Sequence, residues 1–475
     1  MKRILYVTAE AAPFAASGGL GDVMGALPRA VGRYGGRGVE VSVILPLYRA
    51  IEAEKRESMQ PIYEGNLTLA WREIPYSVYA CSHLGVTYYF VENPRYFDRP
   101  ALYGEYDDGE RFAFFCRAVL DFFLSTDRVP HILHANDWQA ALSVIYPRTV
   151  YASDPRLASL RTVFTIHNIA YQGRYESGIL SDVFDIHPAH RKLLEHAGEI
   201  NLMAGAIRLA DRVTTVSPRY AEEICHERGG EGLSSVLCER GRTVGILNGI
   251  DCEYFSPEEG ILAMPYTAKN AVHGKAENKR AIQREVGLSQ DGAPLLLMVT
   301  RLTEQKGLDL ALAALPEIFA ARAQLILLGT GDGYYEDAFG KAAEEWQNLR
   351  FLRRFDRDMS KKLYAAADLF LMPSRTEPCG LAQMIACRYV AVPIVRATGG
   401  LADSIVPYGR VGGNGFLFER YEADVFSETV LAAISLYRRD PAAFDRLRRT
   451  AMRTDFSWRR PCAEYLALYR MLMEE

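Results

Sequence analysis

The chain has 475 residues, with 49% hydrophobic and 24% charged residues and a formal net charge of −4. Those proportions are globular, and the length calls for two domains rather than one. The slight acidic excess excludes a nucleic-acid partner held by basic surface, and no apolar run has the length of a membrane-crossing helix.

In chain order, ILYV (4–7) is an apolar run of the kind that buried parallel strands use. AASGGLGDVMGALP (15–28) follows, with three glycines in four positions and then Val23, Leu27, Ala30 and Val31 at helical spacing. Further strands are expected over 39–48, 86–92, 131–136, 161–168 and 211–217, with a helix at 111–124. The pattern then restarts, with strands at 294–302, 323–332, 368–374 and 390–397 and a helix starting at Leu308. Strands separated by helical crossovers predict a parallel, doubly wound sheet, and two such sets predict a two-domain α/β protein. The boundary is expected in the polar, turn-rich ILNGIDCEYFSPEEG (246–260). The eight cysteines form no CxxC pair, which points to reduced thiols in a cytoplasmic protein. The N-terminus reads as a strand and not as a signal peptide.

In doubly wound sheets, ligands bind beyond the carboxyl ends of the strands. The loops there contain Arg301, Lys306 and Arg375, the acids Asp22, Asp137 and Glu377, His167 and two glycine pairs. A nucleotide diphosphate facing a hydroxyl-rich partner suits this set, because the cations match phosphate charge and glycines before helix starts free backbone N–H groups. Four lookalikes are set aside. HILH (131–134) and HPAH (187–190) lack a third metal ligand, GTGDG (329–333) is expected to be a turn, and RRFDRDMSKK (353–362) a solvated helix entry.

RLTEQKGLDL, SRTEPCGL, RATGGLAD and SGGLGDVMGALP, with TIHNIAYQG, TTVSPRYAEEI, GILNGID, KAENKRAIQ, YDDGERF and the terminal DFSW, carry a resemblance. In order and over essentially its whole length, the chain resembles the bacterial glycogen synthase and plant starch synthase family. The resemblance implies a GT-B fold, two Rossmann-like doubly wound domains facing across a cleft. Residues 1–250 would form the acceptor-side domain and 251–455 the donor-side domain, with 456–475 a helix returning to the first. It also implies retaining transfer of glucose from ADP-glucose to the 4-hydroxyl of an α-1,4-glucan, glycogen or a malto-oligosaccharide, with no metal or other cofactor. The alternatives are a weakened or non-catalytic glucan-binding relative and a GT-B transferase using UDP-glucose.

By the same resemblance, Arg301 and Lys306 hold the donor diphosphate and stabilise the leaving group, and Glu377 supports the transferring sugar. Read as residues alone, the cations could be a solvated pair and Glu377 a helix cap. His167 resembles the histidine that contacts the transferred glucose, where the plainer option is a satisfied core histidine. Asp137 resembles an aspartate on the acceptor side. Ser17, Gly18, Gly19 and Asp22 would form the donor-facing loop. Thr398, Gly399 and Gly400 would offer backbone amides to phosphate or sugar, or form a simple turn. Phe355 takes the place of an adenine-stacking aromatic, or packs in the core at a strand end. Cys379, Gly380 and Leu381 would lie near the sugar, and Asn248 matches a cleft-facing position, although Asn-Gly is also a turn dipeptide.

The chain departs from the family pattern at Ala16, where a lysine is usual, and at Asn136 and Gln139, where histidines flank Asp-Trp. It departs again at Ala204, where relatives often carry lysine, and at Val390, where a glycine is usual. A charge-assisted hydrogen bond contributes about 1.5–3 kcal/mol, so losing one weakens an enzyme roughly ten- to a hundredfold without abolishing it. An active synthase is the expectation.

Overall fold

The apolar runs become two separate sheets in a computed structural model that describes residues 2–241 and 243–474. The chain divides into one unit of Met1–Gly249 with Trp458–Glu475 and a second of Ile250–Ser457. The first unit contains β1 (Lys2–Val7), β2 (Val39–Pro46), β3 (Gln60–Leu69), β4 (Arg72–His83), β5 (Val86–Glu92) and β6 (Ile132–Asn136). It continues with β7 (Arg161–Ile166), β8 (Arg174–Tyr175), β9 (Glu195–His196), β10 (Glu199–Asn201), β11 (Arg212–Thr215) and β12 (Val244–Gly245). Nine of these form one sheet in the order β12-β11-β7-β6-β1-β2-β5-β4-β3, and β8, β10 and β9 form a small sheet of their own.

From β12 to β5 the large sheet is parallel, and β4 and β3 close its edge as antiparallel strands. β1, β2, β5, β6, β7 and β11 are the expected apolar runs, with β1 buried from Ile4 to Val7, whereas the two-residue β12 was not expected. The antiparallel edge is absent from the sequence expectation for a physical reason. In β3 mostly exposed positions alternate with partly buried ones, and Pro61 and Gly65 interrupt the run, so no apolar stretch marks the strand.

The second unit has β13 (Leu295–Val299), β14 (Gln324–Leu328), β15 (Leu349–Leu352), β16 (Leu369–Met372), β17 (Val392–Arg396) and β18 (Phe416–Phe418). All are parallel, in the order β15-β14-β13-β16-β17-β18. Leu296, Met298, Leu325, Leu327, Leu371 and Ile394 belong to the core that covers this sheet. The KAENKRAIQ motif turns a polar face inward on the helix Ala271–Val286, where Lys275, Asn278, Lys279 and Gln283 are buried. Lys279 Nζ lies 2.6 Å from Asp368 Oδ2, and Arg448 donates to the other carboxylate oxygen. Burial alone would raise the Asp368 carboxyl, but the charges of Lys279 and Arg448 hold it below the usual range. Lys275 Nζ donates to the carbonyls of Tyr364 and Tyr389 at 2.9 and 3.0 Å.

Two expectations change here. RRFDRDMSKK is not simply solvated, because Lys361 is buried, pairs with Glu259 at 2.8 Å and lies 3.7 Å from the centre of the Tyr254 ring. GTGDG is a point of close backbone approach, since a Cβ on Gly329 would lie 1.9 Å from the Thr300 carbonyl oxygen. The terminal helix Arg459–Glu474 belongs to the first unit. There the Tyr469 hydroxyl meets Tyr6 Oη at 2.8 Å and His134 Nδ1 at 2.7 Å. Among the described residues, no helix is long and apolar enough to cross a membrane.

Val390 ends the helix Ala382–Arg388 at φ 63°, a left-handed position that a glycine would occupy without strain. That strain is about 1–2 kcal/mol, whereas burying a valine side chain contributes about 1.5–3 kcal/mol. Val390 is 2% exposed, so burial outweighs strain. Val390→Gly is therefore expected to lower stability by about 1 kcal/mol, read as a lower urea midpoint; a raised midpoint would show that strain dominates.

Candidate functional site

In the second unit the strand order reverses direction between β13 and β16, with β14 on one flank and β17 on the other. Doubly wound sheets bind ligands at such a switch point. The loop after β13 carries Arg301 and Lys306, and the loop after β16 carries Glu377. Gly307 joins them closely: its φ is 68°, and a Cβ there would lie 1.9 Å from the Pro373 carbonyl oxygen. Lys306 Nζ sits 2.6 Å from Glu377 Oε2, which also accepts from Ser374 Oγ at 2.9 Å. Glu377 is 6% exposed and acts as an ion-pair carboxylate rather than a helix cap. Arg301 is exposed, and its guanidinium takes no described residue as a partner. The switch point thus presents one exposed cation with no partner among the described residues and one paired with a buried acid.

The loop after β17 presses on the same place. Gly399 has φ 44°, and a Cβ on it would lie 2.0 Å from the Glu377 carbonyl oxygen; one on Gly400 would lie 2.2 Å from that of Cys379. Gly400 N donates to the Glu377 carbonyl at 3.1 Å. The glycine pair first serves the approach of two loops, and Thr398 is the buried residue that precedes the short helix Gly399–Ser404. Cys379 is buried, Gly380 is left-handed at φ 70°, and Leu381 caps the helix Ala382–Arg388. Phe355 is 70% exposed, which removes the option of a core phenylalanine.

In the first unit the reversal lies between β1 and β6. The glycine loop follows β1 and leads into the helix Gly19–Gly35, with Gly18 as N-cap and Asp22 in the first turn. A residue absent from the sequence expectation organises it. Glu10, 1% exposed, accepts from Ser17 N at 2.6 Å, Ser17 Oγ at 2.7 Å, Gly18 N at 3.3 Å and Tyr103 Oη at 2.5 Å. The amides of Ser17 and Gly18 are thus taken from within, leaving the Gly19 end of the loop exposed. An acid between a strand end and a glycine loop was the available signal. A Cβ on Gly21 would meet both the Ala16 Cβ at 2.4 Å and Glu10 Oε2 at 3.1 Å, so a lysine at position 16 would start beside this carboxylate.

Asp137 follows β6 and His167 follows β7, and the parallel pairing of these strands brings them together. Asp137 Oδ1 accepts from His167 N at 2.7 Å and Asn168 N at 3.4 Å. Asp137 holds φ 57° and ψ 179°, a region almost reserved for glycine, at about 1–3 kcal/mol. Burial pushes its carboxyl up to about 7 against the pull of those two amides. Burial also drives the His167 imidazole down to about 3, so it is neutral at any ordinary pH. His167 Nε2 lies 2.9 Å from Asn136 Oδ1. Gln139 is buried with Oε1 lacking a described hydrogen-bond partner, as is Oδ1 of Asn248. Ala204 is buried in the first turn of the helix Leu202–Leu209, where its N–H donates to Asn201 Oδ1 at 2.9 Å.

Two doubly wound units, with cations and a carboxylate gathered at the switch point of the second, define a GT-B glycosyltransferase. Residues 3–239 match the family described as starch synthase catalytic domain, and residues 279–447 match glycosyl transferases group 1. The chain is 42% identical to a glycogen synthase of Geobacillus thermodenitrificans (strain NG80-2) over 484 residues, covering 100% of this chain and 98% of that one. It is 40% identical to a glycogen synthase of Clostridium beijerinckii (strain ATCC 51743 / NCIMB 8052), covering 99% of each. The catalytic domain of starch synthase IV from Arabidopsis thaliana, bound to ADP and acarbose, superposes with a TM-score of 0.94 at 33% identity over 100% of both chains. A sucrose-phosphate synthase from Thermosynechococcus elongatus, at TM-score 0.63 and 17% identity, shares the fold alone. The chain belongs to the glycogen and starch synthase family.

Asp137 makes a pH-dependent prediction. The folded state keeps a proton on this carboxyl up to about pH 7, whereas an unfolded aspartate releases it near its ordinary value of about 3.9. Its contribution therefore falls as pH climbs through that window. Asp137→Asn, which keeps an acceptor for the His167 amide, should raise the melting temperature over wild type more at pH 8 than at pH 4.5. An equal difference at both values would refute the raised carboxyl.

Proposed function

We propose that the chain extends α-1,4-glucans such as glycogen or malto-oligosaccharides, transferring glucose from ADP-glucose to the 4-hydroxyl at the non-reducing end with retention of configuration. The observation that carries this is the exposed, unpartnered Arg301 beside the Lys306–Glu377 pair at the switch point of the second unit. The bond between the sugar C1 and the diphosphate oxygen breaks, and a bond from the acceptor O4 to C1 forms. The acceptor proton leaves with the departing phosphate oxygen. Because the broken and the new bond are both α, attack comes from the face that the phosphate vacates.

Each residue has a charge to answer in that step. The diphosphate gains negative charge as C1–O breaks, and Arg301 and Lys306 stabilise it without a metal ion. Positive charge grows at C1, and Glu377, held in place by Ser374 and Lys306, is the carboxylate assigned to oppose it. Phe355 offers an exposed ring for the adenine, and Thr398, Gly399, Gly400, Cys379, Gly380 and Leu381 shape the sugar and phosphate pocket. His167, being neutral, contributes a hydrogen bond and no proton transfer. Asp137 fixes the His167 backbone. Ser17, Gly18, Gly19, Asp22 and Asn248 are the first unit's candidates for substrate contact. A cytoplasmic location belongs to the same proposal, supported by eight cysteines that are all free thiols.

Incubation with glycogen and either ADP-glucose or UDP-glucose, followed by nucleotide release and chain extension, tests the proposal. Turnover with ADP-glucose is expected, and no turnover with either donor while glucan is still bound would overturn it. Arg301→Ala and Lys306→Ala should each lower kcat by about 10²–10³-fold, the loss seen when one donor to a developing oxyanion is removed. A change in KM alone would place these cations in ground-state binding only.

A further inference from the structure

Asn136 is the last residue of β6, and His167 follows the end of β7, one strand over. The Asn136 amide is fully buried and is fixed from three directions. Its Nδ2 donates to the Val7 carbonyl at 3.2 Å and to the His134 carbonyl at 3.1 Å, and its Oδ1 meets His167 Nε2 at 2.9 Å. Carbonyl oxygens can only accept, so they hold the amide nitrogen on their side and turn the oxygen toward the imidazole. An amide oxygen is also only an acceptor, so His167 Nε2 must carry the hydrogen. The other ring nitrogen of a neutral imidazole is then an acceptor, and Nδ1 of His167 has no described partner.

We propose that Asn136 is a positioning residue that locks His167 as the Nε2–H tautomer and so presents Nδ1 as an acceptor for a hydroxyl of the transferred sugar. This rests on the reading of His167 as a sugar contact. The residue types support it. Asn136 is uncharged, so nothing in the pair opposes the burial that keeps His167 neutral. A histidine at position 136, the usual family residue, has two ring nitrogens and could not serve two carbonyls and an imidazole at once. Histidine tautomers in metal sites are fixed in the same way, by the hydrogen bond that the other nitrogen makes. Here the fixed nitrogen aims a hydrogen bond at substrate instead.

The experiment uses full-length protein with ¹⁵N-labelled histidine and long-range ¹H–¹⁵N spectra, with the His167 signals assigned by their loss in His167→Asn. Wild type should show His167 as a single Nε2–H tautomer at pH 7. Asn136→Ala should leave a mixture of tautomers and lower kcat about tenfold, the loss of roughly one well-placed hydrogen bond, while KM for ADP-glucose changes less. Asn136→Asp should place a proton on Nδ1 as well, because a carboxylate beside the ring favours the imidazolium. An Nδ1–H tautomer in wild type, or an Asn136→Ala protein with wild-type tautomer and kcat, would overturn the proposal. The wild-type spectrum decides the tautomer even if a variant fails to fold. It also needs no turnover, so absent glucosyl transfer with a clean Nε2–H signal would remove the proposed activity and leave the orientation standing.

Discussion

The second unit depends on one contact, the ion pair of Lys306 with Glu377. It ties the loop after β13 to the loop after β16, the two loops that flank the reversal of strand order. Both side chains are largely buried, so the pair is rigid, and Ser374 takes part of the carboxylate. Breaking such a pair leaves a buried charge uncompensated, which is why the surrounding loops can hold only this arrangement. Arg301 is left over, exposed and without a partner among the described residues. One cation of this loop pair is thus fixed by an acid and the other is exposed.

The first unit builds its switch point from hydrogen bonds around two acids, Glu10 buried and Asp137 half-buried. Glu10 collects two amides and two hydroxyls of the glycine loop and the Tyr103 loop, and Asp137 collects the amides of His167 and Asn168. Desolvation then shifts Asp137 and His167 in opposite directions, raising the carboxyl to about 7 and lowering the imidazole to about 3. Neither adds a full charge at neutral pH to the lining of this loop cluster.

The glycine pairs show how far a motif can be read. SGG and TGG both suggest backbone amides offered to an oxyanion. In the structure Gly399 and Gly400 are small first because the Glu377 and Cys379 carbonyls pass within van der Waals range, and the Ser17 and Gly18 amides already face Glu10. In each unit these loop backbones are committed first to contacts within that unit. The departures divide in the same manner. Ala204 completes a helix turn, Val390 trades backbone strain for burial, and Asn136 takes on a donor–acceptor pattern that a histidine could not.

Most of the parallel strands, the loops at their carboxyl ends and the cations, acids and His167 in those loops were legible from the sequence, because buried parallel strands are continuous apolar runs and ligand loops follow them; the short β12, β15 and β18 were not, having only two to four residues each. The half-solvated β3 and β4 were not legible, since one face of each strand meets water and breaks the apolar signal. Motif order alone determined the family and hence the chemistry expected. Only the tertiary structure decided which groups are free: that Lys306 is paired and Arg301 is not, that Glu10 holds the glycine loop, that Phe355 is exposed and Lys361 buried. Those outcomes turn on distances of a few ångströms between residues far apart in the chain, and hydrogen-bond and charge energies change over that scale while the residue types stay the same.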